Sequence, residues 1–181
     1  FLASATAVDN VDGSVSVSND GLAVFPLGET LVTFSATDAA GNTGTATSTV
    51  TVTDQTVPEI TAPADGTLAA TDASGLASSD ASVQAWFATA SASDNVDSSM
   101  TITNDAPEVL TIGETLVTFT VTDAAGNSAS ATATVTVADL TAPVVTAPAA
   151  ITLLGENDGL AATDASVTDF LASITASDNV D

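Results

Sequence analysis

Residues 28–54 read GETLVTFSATDAAGNTGTATSTVTVTD, and residues 113–139 read GETLVTFTVTDAAGNSASATATVTVAD. The two segments are identical at 20 of 27 positions, and the second begins 85 residues after the first (28 to 113). The tetrapeptide DNVD recurs at nearly the same spacing, at residues 9–12, 94–97 and 178–181. A repeat of this length that fills the chain predicts a tandem array of small domains, so function is sought in the repeated unit.

Apolar and polar residues alternate within each copy, with Val32, Phe34 and Ala36 separated by threonine and serine. Alternation with a period of two predicts a half-buried strand. The run that follows has Val50 and Val52 on one face and threonines on the other, where a β-branched polar residue suits a solvated pleated surface. The AAGN sequence between the runs supplies the Gly and Asn of a tight turn. Each copy is therefore predicted to form a hairpin, with these residues at the matching inward positions of the second copy: Val117, Phe119, Val121, Val135 and Val137.

The rest of the repeat supplies further short strands. Residues 100–103 (MTIT), 109–112 (VLTI) and 116–122 are predicted strands, and an opening strand is expected between Pro58 and Pro63, and again between Pro143 and Pro148, because proline ends a ladder. Residues 66–82 are rich in Ala, Ser and Asp and predict a loop with a short helical turn before a strand that begins near Trp86. Trp86, Phe170 and Phe1 occupy one repeat position and are expected to pack in the core rather than to stack on sugars.

About seven short strands in a repeat of about 85 residues are typical of an all-β fold, here tandem immunoglobulin-like Greek-key β-sandwiches. The predicted domains are a partial repeat at 1–54 that lacks its opening strands, a complete repeat at 55–139, and a partial repeat at 140–181 that carries opening strands only. The chain is expected to be a segment of a longer protein.

The composition excludes several classes of partner. The chain has no Lys, Arg or His against 23 acidic residues, giving a net charge of −23, so nucleic acid is excluded as a direct partner. No apolar run approaches the length of a membrane span, and no direct membrane insertion is expected. With 45% hydrophobic residues the chain is expected to fold, but its carboxylates need a positive charge that the chain does not contain.

The order DNVDG, FPLGETLVTFSATDAAGNT, TVTVTD and TVPEITAP resembles the hyalin-repeat (HYR) domain, an extracellular immunoglobulin-like module. It is also similar to immunoglobulin-like and cadherin-like repeats of large bacterial surface proteins. The resemblance implies an extracellular or cell-surface location and an adhesive or spacer role, and it names no ligand. Animal versions commonly carry a Cys pair. Here Val11, Val96 and Val180 occupy the position where a Cys often follows the Asp-Asn dipeptide, which favours a bacterial-type version without disulfides.

In an immunoglobulin-like sandwich the DNVD and TDAAGN loops lie at the end where the chain enters, so the linker residue Asp54 is expected to meet the acidic loops of the next repeat. Carboxylates this close cannot all stay ionised without a cation. Calcium is the expected ion because it prefers six to eight oxygen ligands, and the absence of His and Cys argues against zinc and copper. The expected ligands are Asp54, Asp94, Asp97, Asp123 and Asn127 at the first junction, Asp139, Asp178 and Asp181 at the second, and Asp9, Asp12, Asp38 and Asn42 in the incomplete first repeat.

Each of these side chains taken alone is also an ordinary turn residue, since Asp and Asn bond to nearby backbone groups. Their repetition at one expected end of the domain favours calcium. Glu29 and Glu114 follow a turn at the opposite end and are expected to be solvated.

The predicted function is a rod or fibre stiffened by calcium that spaces or assembles surface structures. Its expected partners are neighbouring repeats, other copies in a fibre, or a cell-surface or glycan ligand. One alternative is a head-to-tail filament in which the strands of 140–181 complete the first repeat of another copy. A second is a glycan- or ice-binding surface on Thr132, Thr134 and Thr136. Enzymatic activity is not expected, because no His, Cys, Lys or Tyr is present to act as base or nucleophile.

Overall fold

A computed structural model of the chain describes residues 2–155 and 159–181. Phe1, with its predicted core position, lies outside the described residues. The chain divides into two compact units, which are residues 1–56 with 124–127, and residues 57–123 with 128–181. Among the described residues, no helix combines the length and the apolar character needed to cross a bilayer.

The first unit is built from two small antiparallel sheets. After a short 3-10 helix at Leu2–Ser4, its strands are β1 (Ala7–Asp9), β2 (Gly13–Val15), β3 (Val17–Asn19), β4 (Gly28–Thr37) and β5 (Thr43–Val52). β1 pairs with β2, and β3, β4 and β5 form a sheet in that order. The β4–β5 hairpin runs from Gly28 opposite Val52 to Thr37 opposite Thr43, which confirms the hairpin that the alternating pattern predicts.

The turn of this hairpin depends on glycine, because Gly41 has φ +91° in the left-handed region that other residues rarely adopt. Its strands bury little. Val32 is fully buried, whereas Phe34 and Ala36 on the same face are only half-buried.

The second unit contains the complete repeat and the following partial one. Its elements are β6 (Glu59–Thr61), β7 (Gly66–Ala69), β8 (Leu76–Ala77), α1 (Ala81–Phe87), β9 (Ser91–Ser93), β10 (Ile102–Asn104), β11 (Val109–Leu110), β12 (Gly113–Thr122), β13 (Ser128–Ala138), β14 (Val144–Thr146), α2 (Ala165–Ala172) and β15 (Thr175–Ser177).

The largest sheet of the second unit has the order β10-β12-β13-β7. β7 runs parallel to β13, with Gly66 opposite Val135, and the other neighbours are antiparallel. β6 pairs with β9, β8 with β11, and β14 with β15. The prediction of an all-β sandwich is confirmed, and the opening strands expected between the proline pairs are β6 and β14.

The core of the second unit lies under the inward face of β12 and β13. Val117, Phe119 and Val135 are at most 1% exposed. Trp86 covers this face, with its ring centroid 5.7 Å from that of Phe119 in an edge-to-face arrangement. Its indole nitrogen donates to the Ala64 carbonyl at 2.8 Å, which satisfies the polar atom of a partly buried ring. Trp86 therefore packs on the core as predicted.

The predicted strand near Trp86 is wrong, because Trp86 lies in α1 and the next strand, β9, begins at Ser91. The side chain of Asp80 caps the helix by accepting from Ser82 N at 2.8 Å. Val83, Trp86 and Phe87 follow at helical spacing and turn one apolar face to the core. Three strands also differ from their predicted bounds, since β10 begins at Ile102, β11 ends at Leu110 and β12 begins at Gly113.

Candidate metal centres

The first DNVD loop joins β1 to β2 in the first unit. Asp9 ends β1, and its Oδ1 accepts from Val11 N at 2.8 Å and from Asp12 N at 3.0 Å. These backbone donors, that of Asp12 most strongly, hold the pKa of Asp9 below its ordinary value. The aspartate therefore fixes the loop with one oxygen and stays ionised.

The first TDAAGN loop joins β4 to β5 in the same unit. Asp38 Oδ1 accepts from Asn42 N and Asp38 Oδ2 from Asn42 Nδ2, both at 2.7 Å. The side-chain bond from Asn42 is the main cause of a lowered pKa at Asp38, and the backbone bond adds to it. Asn42 thus acts in this structure as a partner of Asp38, which orients the carboxylate.

These two loops of the first unit meet. Asp12 Oδ2 accepts from Ala39 N at 2.9 Å, which ties the DNVD loop to the TDAAGN loop. Asp9, Asp12 and Asp38 each offer one carboxylate oxygen, and the three atoms lie within 4.8 Å of one another. Asp9 and Asp38 are half-buried and Asp12 is exposed. Two ligands of one calcium ion, each at about 2.4 Å, are at most about 5 Å apart, so this spacing fits a shared ion.

The second DNVD loop follows β9 in the second unit and has the same local geometry. Asp94 Oδ1 accepts from Val96 N at 2.8 Å and from Asp97 N at 3.1 Å. Asp94 Oδ2 is buried and has no hydrogen-bond partner among the residues that the structure describes. Asp123, directly after β12, is 7% exposed. Its exposed fraction is the smallest of any charged residue among those described. The complete repeat thus takes carboxylates out of water at two of its predicted ligand positions.

Asp54 and Asn127 belong to the first unit. Asp54 Oδ1 accepts from Thr56 N at 2.9 Å, and Asn127 Nδ2 lies 3.4 Å from the Asp54 carbonyl oxygen, to which it donates. Asp54 Oδ2 is a second buried carboxylate oxygen for which the described part of the chain supplies no hydrogen-bond partner. The linker aspartate is therefore held at one oxygen and leaves the other for a ligand.

The third DNVD loop follows β15 in the second unit. Asp178 Oδ1 accepts from Val180 N at 2.9 Å, whereas Asp178 Oδ2 is buried and has no hydrogen-bond partner within residues 2–155 and 159–181. Asn179 Nδ2 donates to the carbonyl oxygens of Ala70 and Thr71, at 3.1 and 3.4 Å. Among the described residues, the predicted trio of Asp139, Asp178 and Asp181 does not meet the 4.8 Å spacing that the first-unit trio meets. That second junction site stays a prediction.

Two aspartates outside the predicted set have a structural role that periodicity alone does not single out. Asp20 Oδ1 accepts from Thr33 N, and Asp105 Oδ1 from Thr118 N, both at 2.7 Å. Each carboxylate fixes the segment after an edge strand to the neighbouring long strand. The dipeptide Asn-Asp recurs 85 residues apart, at 19–20 and 104–105, and is the signal that identifies them.

Comparison with known proteins gives the chain a family context. The model of the HYR domain family matches residues 1–52 and 53–137. Hyalin from Lytechinus variegatus is 35% identical over 156 residues, which is 82% of this chain and 29% of that protein. Hyalin from Strongylocentrotus purpuratus is 33% identical over 156 residues, which is 82% of this chain and 13% of that protein. The chain thus spans less than a third of the length of either relative.

Proposed function

The chain belongs to the HYR domain family, and on that premise we propose that it is an extracellular adhesion or spacer module whose repeats bind calcium through their acidic loops and are stiffened by it. The tandem arrangement supports the spacer role, because a device that only has to span distance can repeat one domain. The relatives support the adhesion-type assignment by their similarity over 82% of the chain.

One observation carries the calcium proposal. Three buried carboxylate oxygens lack a hydrogen-bond partner among the described residues, and they belong to Asp54, Asp94 and Asp178. A buried anionic oxygen without a partner is costly, so native proteins rarely leave one. All three lie at positions that the repeat pattern predicts as metal ligands. A divalent cation would satisfy these oxygens and offset part of the −23 charge.

The donor set fits calcium better than other common metals. Asp carboxylates, Asn side-chain oxygens and loop carbonyls are hard oxygen ligands, and the sequence has no His or Cys to favour zinc or copper. Asp54, Asp94, Asp97, Asp123 and Asn127 would hold the ion at the first junction. Asp9, Asp12 and Asp38 supply the corresponding carboxylates of the first repeat.

The proposed mechanism is mechanical. Asp54 lies in the segment that joins one repeat to the next, and Asp94 and Asp97 lie in a loop of the following repeat. An ion that binds ligands from both restricts the linker, because moving either repeat would break metal–oxygen bonds. Calcium therefore converts a flexible chain of repeats into a stiffer one.

The test is to compare the chain in calcium with the chain in EDTA by differential scanning calorimetry and small-angle X-ray scattering. Removing calcium should lower the melting temperature and change the scattering profile. Asp94→Asn should weaken the calcium response, whereas Glu114→Gln, on an exposed residue of β12, should keep it in full. If neither the melting temperature nor the scattering profile responds to chelation, the calcium proposal fails and the spacer role must rest on protein contacts alone.

A second candidate function is head-to-tail assembly by strand addition. β5 is the last strand of its sheet among the described residues, whereas its counterpart β13 carries β7 on the corresponding edge. Residues 151–154 (ITLL) correspond in the repeat to β7 and form no strand, and Leu154 is 95% exposed. The corresponding segment of a second copy could pair with β5. Analytical ultracentrifugation should then show concentration-dependent oligomers that Leu153→Asp dissolves, whereas a monomer at all concentrations excludes this candidate.

A further inference from the structure

The complete repeat contains a groove that the metal-binding loops do not use. A cavity of about 540 Å³ lies between α1 and β10 in the second unit, a volume in the range of ligand pockets. Phe87 and Ile102 form apolar walls, and Phe119, which is 1% exposed, forms the floor. The Phe87 and Phe119 rings meet edge to face at 6.0 Å, so this part of the groove is firmly packed. We refer to it as the α1–β10 groove.

One wall of the α1–β10 groove is an edge strand with open backbone groups. β10 is the terminal strand of its sheet among the described residues. Asp105 N donates to Thr118 O at 3.2 Å, and Thr103 is opposite Thr120. Because backbone direction alternates along an antiparallel strand, the N–H and C=O groups of Thr103 face β12, and those of Ile102 and Asn104 face away from it. Such an edge is a template for another strand.

The polar groups inside the groove are neutral. Gln84 and Asn104 both line it, and none of the described residues that line it is charged. Gln84 Nε2 donates to the Ser78 carbonyl at 2.8 Å, and Asn104 Oδ1 accepts from Ala106 N at 3.2 Å. These bonds fix both amides in a pocket of mixed lining, in which Phe87, Ile102 and Phe119 supply the apolar surface that a bulky uncharged side chain would contact.

Three acidic residues adjoin the lining of this neutral pocket through the backbone. The Asp80 carbonyl accepts from Gln84 N at 2.9 Å, the Glu108 carbonyl accepts from Ser78 N at 2.8 Å, and Asp105 follows Asn104 directly. The chain has no Lys or Arg to compensate them. Charge complementarity therefore favours a ligand that is apolar at its centre and basic at its flanks, and opposes an acidic one.

We propose that the α1–β10 groove binds an extended segment of a partner protein, which adds as a strand to β10, places a bulky apolar side chain in the cavity and directs flanking Lys or Arg residues at the acidic rim. The groove lies entirely within the second unit and does not use the predicted calcium ligands. The partner-docking proposal can therefore be tested independently of the calcium proposal.

The test is fluorescence anisotropy on the full chain at constant calcium, with the labelled hexapeptide KTLTLK as the probe. KTLTLK should bind. KTGTGK, which lacks the apolar side chains, should have an affinity at least about ten-fold lower, because burying a leucine accounts for at least that factor. ETLTLE should not bind. Equal binding of KTLTLK and KTGTGK would mean attraction by charge alone and would overturn the proposal.

The location is tested with one variant at the C-cap of α1 and one within the helix. Ala88→Trp places a large side chain at the groove and should weaken KTLTLK binding about ten-fold or more. Ala85→Trp is the matched control, because Ala85 is an exposed residue of α1 outside the groove lining, and it should leave binding unchanged. Circular dichroism checks that both variants fold. If the two variants bind alike, the α1–β10 groove is not the site.

Strand addition has its own readout in the peptide backbone. Alternate N–H groups of a peptide strand would face β10. N-methylation of these residues of KTLTLK removes the donors to β10, whereas N-methylation of the residues between them leaves those donors in place. One methylation pattern should abolish binding and the complementary pattern should retain it. If both patterns bind as well as the parent peptide, the peptide does not add as a strand and the proposal is wrong.

Discussion

The hairpins β4–β5 and β12–β13 have nearly the same sequence and the same register, but they differ in burial. Gly28 is opposite Val52 in one hairpin and Gly113 is opposite Val137 in the other. In the second hairpin Val117, Phe119 and Val121 are at most 1% exposed, whereas of their three counterparts only Val32 is buried to that extent. Pairing of the strands is thus a local property, and formation of a core is not.

The difference comes from the elements that precede the hairpin in the complete repeat. β7 covers the edge of β13, and Val83 and Trp86 of α1 pack on its inward face. The described part of the first unit has no counterpart of β7 on β5. Most of the stability of a repeat is therefore expected to come from contacts between the opening segment and the hairpin, and the two hairpins provide matched sites on which to test this.

The largest expected effect is on the core phenylalanine. Phe119→Ala should destabilise the second unit by about 3–5 kcal/mol, because it removes a buried ring and leaves a cavity. Phe34→Ala, the equivalent change in the first unit, should cost less than about 2 kcal/mol, since Phe34 is already half-exposed. Urea unfolding followed by tryptophan fluorescence measures the second unit, because Trp86 is the one tryptophan in the sequence.

Far-UV circular dichroism of the same samples reports both units. Phe34→Ala should leave the fluorescence midpoint unchanged. An equal loss of unfolding free energy for Phe119→Ala and Phe34→Ala would show that the two hairpins are equally buried in solution, and would contradict the difference in burial.

The next effect concerns two glycines with positive φ. A Cβ at Gly75 (φ +114°) would overlap the Leu110 carbonyl oxygen, so Gly75→Ala should destabilise the second unit by about 2–4 kcal/mol. Gly41 (φ +91°) has nothing within 4 Å of that position, so Gly41→Ala should add backbone strain of about 1–2 kcal/mol to the first unit. Thermal unfolding of the two variants measures the costs, and a Gly41→Ala cost that matches or exceeds that of Gly75→Ala would contradict this ranking.

The smallest effect is a dependence on pH at Asp105. The backbone N–H of Thr118 is the main cause that lowers the pKa of Asp105 below its ordinary value of 3.8. A lowered folded-state pKa stabilises the fold fully above the unfolded value, and the contribution is lost as the pH falls through the folded value. Asp105→Asn should therefore be less stable than the parent chain at neutral pH, and the gap should narrow only below pH 3.8.

Urea midpoints from pH 7 into the acid range measure that gap, with Glu114→Gln as the control for loss of one surface charge. A gap that closes well above pH 3.8 would assign the stabilisation to a group other than Asp105.

The sequence predicts the hairpins because strand periodicity and turn residues are local signals. Val32, Phe34 and Ala36 alternate with polar residues, and Gly41 allows the turn, so these elements need no information from elsewhere in the chain. The opening strands β6 and β14 are predicted for the same reason, from the prolines at their ends.

The sequence predicts only a short helical turn before Trp86 and not the whole of helix α1, because the segment that leads into the helix is rich in Ala, Ser and Asp, a composition that loops share. The helical signal lies in Asp80 as N-cap and in the spacing of Val83, Trp86 and Phe87. The unequal burial of the two hairpins could not be predicted from their sequences, since nearly identical residues meet different neighbours.

The candidate metal site also combines features that the sequence predicts with features that only the folded chain shows. Repetition of DNVD identifies the loops, and the bonds that Asp9 and Asp94 accept within them are those expected of Asp in a turn. The burial of Asp94 Oδ2 and Asp178 Oδ2 depends on packing around the loops and is visible only in the folded chain.

Calcium binding by the unpartnered carboxylate oxygens can be measured by isothermal titration of calcium into the full chain, with Asp94→Asn and Glu114→Gln titrated alongside. We expect saturable binding with a dissociation constant of at most about 1 mM, as in extracellular calcium modules. Asp94→Asn should lose at least one equivalent and Glu114→Gln should lose none. If no saturable heat is seen, or if all three proteins bind with the same stoichiometry, these oxygens do not hold calcium.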